Sequence, residues 1–114
     1  MTQRIRPDNM AVYKYMMKAG PDCTFDVPVN ATILHVAGQR DFADDAGQNE
    51  YPCIWMLVSK DIEVVKEKRR FIAVGTGDTI PSLVKDPLLQ YKGSVRTYPG
   101  RYVYHVFEVF GVAP

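Results

Sequence analysis

The stretch from Pro52 to Gly77, PCIWMLVSKDIEVVKEKRRFIAVGTG, constrains this chain most. It holds two apolar runs, IWMLV and FIAV, on either side of a charged connector. Short apolar runs rich in β-branched and aromatic residues, bounded by turn-forming residues, predict strands. In the first run Ile54, Met56 and Val58 share one face, and Trp55 and Leu57 share the other. Both faces are apolar, so this strand is expected at the centre of a sheet. In the second run Arg70, Ile72 and Val74 stand opposite Phe71 and Ala73. The connector Lys60–Lys68 fits either a helical turn, with Ile62, Val65 and Lys66 aligned, or a β-turn. The segment therefore predicts a central β-hairpin, with the other strands laid against it and the core gathered around Trp55.

Five further runs extend the pattern. Ala11–Met17 and Cys23–Val27 flank the turn signal Ala19-Gly20-Pro21-Asp22 and predict a hairpin packed on one face. Ala31–Ala37, ATILHVA, is almost continuously apolar, as expected for a strand covered on both faces, with His35 its one polar side chain. The polar segment Gln39–Tyr51 then predicts a hairpin loop leading into Pro52–Ser59. Leu88–Arg96 and Tyr102–Phe110 flank Tyr98-Pro99-Gly100-Arg101 and predict a second hairpin, with Gly93 at a bulge or close approach. Asp78 or Thr79 is placed to cap a short helical turn that holds Pro81 and ends at Asp86-Pro87. The expectation is a mainly β protein: an antiparallel sandwich or partly open barrel of about seven short strands with at most one short helix, α+β being the alternative. Residues 1–10, with Pro7, Asp8 and Asn9, predict a flexible arm, and residues 11–114 a single β-rich domain.

Composition narrows the function classes. The chain has 114 residues and 46% hydrophobic content, enough for one core without disulfide staples. Fourteen basic residues against thirteen acidic give a net charge of +1, so neither nucleic acid nor an anionic membrane is expected as the main partner. No run is long enough to span a membrane, and Cys23 and Cys53 both sit in or beside apolar strands, where reduced thiols act as small hydrophobes. A reduced, intracellular setting follows as the expectation.

No catalytic or metal signature stands out. His35, Cys53, His105 and Glu108 are ligand types, but only His105 and Glu108 lie close in sequence, and on a strand they point to opposite faces. Each histidine is expected as a satisfied core residue. Cys53, His105 and Asp78 could be named as nucleophile, base and orienting group, but no local spacing brings them together. The acidic spacing in the 39–51 loop does not fit a calcium loop. Gly75-Thr76-Gly77-Asp78 follows a strand, but Ile80 stands where a dinucleotide fingerprint needs its third glycine. A structural turn is expected there, with backbone N–H groups available to an anion. Lys66, Lys68, Arg69 and Arg70 form the one basic cluster; with Arg96, Arg101, Tyr91, Tyr98 and Tyr102 they could make a basic aromatic face. The candidate binding residues are thus Arg69, Arg70, Gly75, Thr76, Gly77, Asp78, Arg96, Tyr98 and Arg101. No catalytic residue, metal ligand or cofactor is assigned.

ATILHV, IWMLVS, RRFIAVGTGDTIP, YKGSV and RYVYHVFE occur in this order between Tyr13 and Glu108. The chain so resembles a family of small proteins of unknown function found largely in tailed phages and prophages, whose last strand ends HVFE. That family carries a histidine after its G-T-G, where this chain has Asp78. The resemblance implies a phage accessory gene product. Expected, then, is a binding protein without catalysis in the host cytoplasm, most concretely an anti-CRISPR-like inhibitor of a host defence complex. The alternatives are a virion structural or capsid decoration protein, and a protein sequestering an anionic host signal at Gly75–Asp78 with Arg69 or Arg70. A homodimer is compatible with all three, since several strands look apolar on both faces.

Overall fold

The computed structural model describes residues 9–43, 49–61, 63–81, 88–97 and 102–110. Seven strands follow one another: β1 (Met10–Met16), β2 (Asp22–Pro28), β3 (Thr32–Arg40), β4 (Glu50–Ser59), β5 (Lys66–Gly75), β6 (Leu88–Arg96) and β7 (Val103–Phe110). They form two antiparallel sheets, a narrow one ordered β1-β4-β3 and a wide one ordered β2-β5-β7-β6. The sheets face each other as an open sandwich, and no helix occurs among the described residues. The turn expected after Asp78 is non-helical as far as Pro81, and its remainder lies outside the described residues. Residues 1–8 of the predicted arm also lie outside them; Met10 already pairs with Ser59 in β1.

The expected hairpin at the centre does not form. β4 and β5 belong to different sheets, and the chain arches from one to the other. Both edges of β4 are taken by β1 and β3, and both edges of β5 by β2 and β7, so neither strand has an edge left for the other. The connector turns without pairing its flanks. Asp61 N–H donates to Ser59 Oγ at 3.2 Å, Glu63 N–H to Asp61 Oδ1 at 3.0 Å, and Val64 N–H to the Asp61 carbonyl at 3.1 Å. Such local Asx-type bonds favour a tight turn over a helical one.

The first predicted hairpin fails in the same way. β1 pairs with β4 and β2 with β5, so the chain crosses between sheets at Gly20 (φ +128°). Ala73 N–H donates to the Pro21 carbonyl at 2.8 Å, which commits the chain to β5 before β2 begins. The two other predicted hairpins, β3–β4 and β6–β7, are present.

The core lies between the sheets. Ile54, Met56, Val58 and Val36 from the narrow sheet meet Cys23, Val27, Phe71, Val95 and Val106 from the wide one. Tyr15, Phe25 and Phe71 form a ring-to-ring chain across it, with centroids 5.4 Å and 6.2 Å apart. At one edge β3 presses on β6: a Cβ on Gly93 would lie 3.0 Å from the Val36 Cβ. Gly93 follows a register shift in β6 and adopts φ +156°, a conformation other residues rarely take.

Trp55 is not at the centre. It alternates with the buried Ile54 and Met56 and therefore faces outward, half-buried, on the narrow sheet. Nor is β3 covered on both faces. Its register shifts between Ile33 and His35, and Leu34 and His35 are exposed. β3 is an edge strand, and its outer face has no layer of described residues over it.

Candidate functional site

Arg69 and Arg70, adjacent in the predicted basic cluster, point to opposite faces of β5. Arg69 turns inward and forms a bidentate pair with Glu108 of β7, Nε to Oε2 at 2.6 Å and Nη2 to Oε1 at 2.7 Å. Its Nη1 donates to the Ala31 carbonyl at 2.8 Å, tying the wide sheet to the start of β3. Glu108 is 2% exposed, and Lys92 Nζ lies 3.6 Å from its Oε1. The bond to Glu108 raises the Arg69 pKa still further, so this guanidinium is a permanent internal cation. Arg70 turns outward and grips Asp22, at 2.9 Å and 2.6 Å, and that bond lowers the Asp22 pKa. Lys68 pairs with Asp26 at 2.9 Å. The cluster that reads as basic in sequence is thus largely neutralised pair by pair.

The Arg69–Glu108 pair was legible in part. In YVYHVFEVF, Glu108 keeps the phase of Tyr104 and Val106, and in β5 Arg69 keeps the phase of Phe71 and Ala73. A carboxylate in an inward phase needs a cation, and Arg69 is the inward-phase cation of its strand.

Gly75, Thr76, Gly77 and Asp78 form the turn that leaves β5. Asp78 N–H donates to the Gly75 carbonyl at 3.0 Å, and Thr76 N–H to the Val103 carbonyl at 3.1 Å. Gly77 takes φ +89°. Arg69 lies six residues up the strand from Gly75, about 20 Å at ~3.3 Å per residue. The two do not form one anion site. Arg96 ends β6, exposed, and Tyr98 and Arg101 lie outside the described residues.

Gly75 and Asp78 line a cavity of about 710 Å³ at the end of the sandwich where β1 stops and β2 and β4 start. Met17, Pro21, Pro52, Ile72, Val74 and Tyr104 supply apolar wall. Its charged lining residues are Lys18, Asp22, Glu50 and Asp78, an acidic balance that disfavours an anionic ligand. Another cavity, about 330 Å³, opens beside Arg69 and Glu108, and their mutual pairing leaves little for a ligand there.

The outer face of the narrow sheet is the largest departure from expectation. Val12 (54% exposed), Leu34 (45%) and the half-buried Trp55 form an apolar surface around the exposed His35, with Leu57 buried. His35 and Trp55 rings stand 5.7 Å apart, and Lys14 Nζ donates to Gln39 Oε1 beside them. His35 is therefore a surface residue and not the core histidine expected.

His105 is also not a core residue. It lies on the outer face of the wide sheet, between Ser94 and Val74. Its Nε2 is 2.8 Å from Thr76 Oγ1 and its Nδ1 2.7 Å from Ser94 Oγ. Thr76 Oγ1 is 3.4 Å from the Val103 carbonyl, which can only accept, so Thr76 accepts from His105 Nε2–H. Ser94 then donates to Nδ1 and accepts from Tyr91 O–H at 2.5 Å. Both ring nitrogens are occupied. Cys53, fully buried in the narrow sheet, is remote from this face, and burial pushes its thiol up. The sequence-level trio Cys53, His105 and Asp78 is not assembled. Glu108 points inward while His105 points outward, and among the described residues no three His, Cys, Asp or Glu side chains converge on a metal position. No helix of the described residues is long and apolar enough to cross a membrane.

Residues 9–112 match the family described as Domain of unknown function (DUF7352), and the chain belongs to that family. No curated protein and no solved structure matches it.

Proposed function

We propose that this protein is a binding module without catalysis, and that it engages another protein through the outer face of its narrow sheet. One observation carries the reading: the exposed apolar surface around Trp55, in a fold whose interior is already closed by a second sheet. Tryptophan in a partly exposed apolar setting is the residue type that most often anchors an interface, and the exposed Val12 and Leu34 give it an apolar surround. Lys14 and His35 supply polar contacts next to it. This face replaces Arg69 and Arg70 as the leading contact region, since both arginines are held by carboxylates of the chain itself.

The more specific form of the proposal follows from the phage-like sequence pattern. The partner is then a protein of a host defence complex in the host cytoplasm, blocked by occupation in the manner of an anti-CRISPR protein. Capture from host lysate with the wild-type chain, a Trp55→Ala variant and a Tyr91→Ala variant tests this. Tyr91 lies on the outer face of the opposite sheet. A stoichiometric partner retained by Tyr91→Ala and lost by Trp55→Ala supports the reading. No partner, or one lost equally from both variants, refutes it. Recovery of the chain in purified virions would favour the capsid decoration reading instead, and a second copy as the partner would favour a homodimer.

A further inference from the structure

The cavity at the end of the sandwich carries a ligand preference that is independent of the Trp55 face. Its volume, about 710 Å³, lies within the usual range for small-molecule sites, roughly 300–1,000 Å³. Much of its wall is apolar, and its charged groups divide into two kinds. Lys18 is held by Asp41 at 2.5 Å, and Asp22 is held by Arg70. Glu50 and Asp78 have no side-chain hydrogen bond or ion pair to another described residue.

Both of these carboxylates rest over a glycine. A Cβ on Gly75 would lie 2.6 Å from Asp78 Oδ2, and a Cβ on Gly38 would lie 3.1 Å from Glu50 Cδ. Only glycine lets each carboxylate settle where it does. Gly77, at φ +89° with open space around its Cα, turns the chain so that Asp78 folds back over β5. The local backbone therefore sets two unpaired carboxylates at the rim of an apolar cavity.

We infer that this cavity binds a small organic cation, its apolar body against Met17, Pro52, Ile72 and Tyr104 and its ammonium held by Glu50 and Asp78. A charged donor against a carboxylate makes one of the stronger hydrogen bonds available, and a partly desolvated rim strengthens it further. An anion of the same shape meets the acidic rim and is rejected.

Three indole ligands of similar body separate charge from shape: tryptamine (cation), tryptophol (neutral) and indole-3-propionate (anion). Backbone amide shifts in two-dimensional NMR report where each binds. Tryptamine is expected to shift Gly75, Asp78 and Tyr104 signals and to bind at least ~10-fold more tightly than tryptophol, with indole-3-propionate weakest. Glu50→Gln/Asp78→Asn should bring tryptamine down to the level of tryptophol while leaving the rest of the spectrum unchanged. Benzylamine and hexylamine test whether the body matters. Equal binding of the three indoles, retention of tryptamine affinity in the double variant, or no shift at these residues with any of the amines at millimolar concentration overturns the inference. Because Trp55 lies elsewhere, Trp55→Ala should leave amine binding intact; failure of either surface is thus read separately.

Discussion

Replacing Glu108 by Gln tests the internal ion pair with almost no change in shape. The carboxylate accepts two bonds from Arg69 and lies 3.6 Å from Lys92, at 2% exposure. Glutamine can accept only through its oxygen, and its amide places N–H donors against a guanidinium that has donors alone. Arg69 keeps its bond to the Ala31 carbonyl but loses its counter-charge in a part-buried setting. Breaking a buried pair from one side costs about 3–5 kcal/mol. Arg69 retains some solvent contact, so the low end, about 3 kcal/mol, is expected. Against a total stability of roughly 5–15 kcal/mol this is a large fraction, equivalent to a fall in Tm of about 10–15 °C. Urea unfolding followed by far-UV circular dichroism gives the number directly. The paired variant Arg69→Met/Glu108→Leu removes both charges together and should lie within about 1 kcal/mol of the wild type, because two apolar side chains need no partner. With Arg69→Met and Glu108→Leu each costing about 3 kcal/mol alone, the cycle then yields a coupling of about 5 kcal/mol. A Glu108→Gln cost below 1 kcal/mol, or additive single variants, would show that the pair does not stabilise the fold.

Acid should destabilise the fold over a defined range. Arg70 holds the Asp22 pKa below its ordinary 3.8, and Lys18 does the same for Asp41, so the charged forms favour the folded state at neutral pH. That contribution stays complete above the ordinary aspartate value and is lost as pH falls through the folded-state values. Tm should be flat down to about pH 4 and then drop, with a shallower drop in Asp22→Asn; an unchanged slope in that variant would dismiss the Asp22 contribution. The Cys23 and Cys53 thiols are both pushed up by burial and are free. Ellman's reagent should leave the native chain unlabelled and titrate two thiols in denaturant; rapid native labelling would contradict their burial. Gly93→Ala should cost roughly 1–3 kcal/mol in the same urea assay, since it adds a Cβ against Val36 at φ +156°; a neutral result would mean that β3 and β6 are not pressed together there.

The sequence made the strands legible and left their partners hidden. Alternation assigns Ile54, Met56 and Val58 to one face and Trp55 and Leu57 to the other, as found, but with both faces apolar it cannot say which looks inward. Size suggested Trp55; the structure instead turns Ile54, Met56 and Val58 inward, into one cluster with Phe71. Hairpins were read correctly where the strands met across a turn with both edges available, β3–β4 and β6–β7, and wrongly where the better-matched edge belonged to a strand far along the chain. β5 begins at Lys66, five residues before the apolar run, because Lys66, Glu67 and Lys68 pair with Pro28, Val27 and Asp26 of β2, a partnership that hydropathy alone does not mark. Among site residues the Gly75–Asp78 turn was visible from its glycines. Glu50 was not, because its relevance depends on Gly38 lying beneath it across the hairpin.

The distribution of satisfied and unsatisfied groups separates stability from function in this fold. Every buried side-chain nitrogen and oxygen among the described residues has a partner, including the internal arginine and glutamate. The hydroxyls and imidazole on the wide sheet saturate one another from Tyr91 through Ser94 and His105 to Thr76. Among the described residues two places stand out as open to a ligand: an apolar face beside Trp55, and a largely apolar cavity with Glu50 and Asp78 at its rim. An apolar face gains from excluding water over an area, which suits a macromolecule. An open cavity with two carboxylates at its rim gains from one charge and a small body. The two lie on different parts of the sandwich, one on the outer side of β4 and the other at the start of that strand, at the end of the sandwich. Continuity through β4 gives the test that joins them: if a cation in the cavity rigidifies Glu50–Cys53, partner affinity at Trp55 should change by the same factor as amine affinity does when the partner is bound. Unequal factors would mean that the two measurements do not report one linked equilibrium, and factors of one would make the surfaces independent.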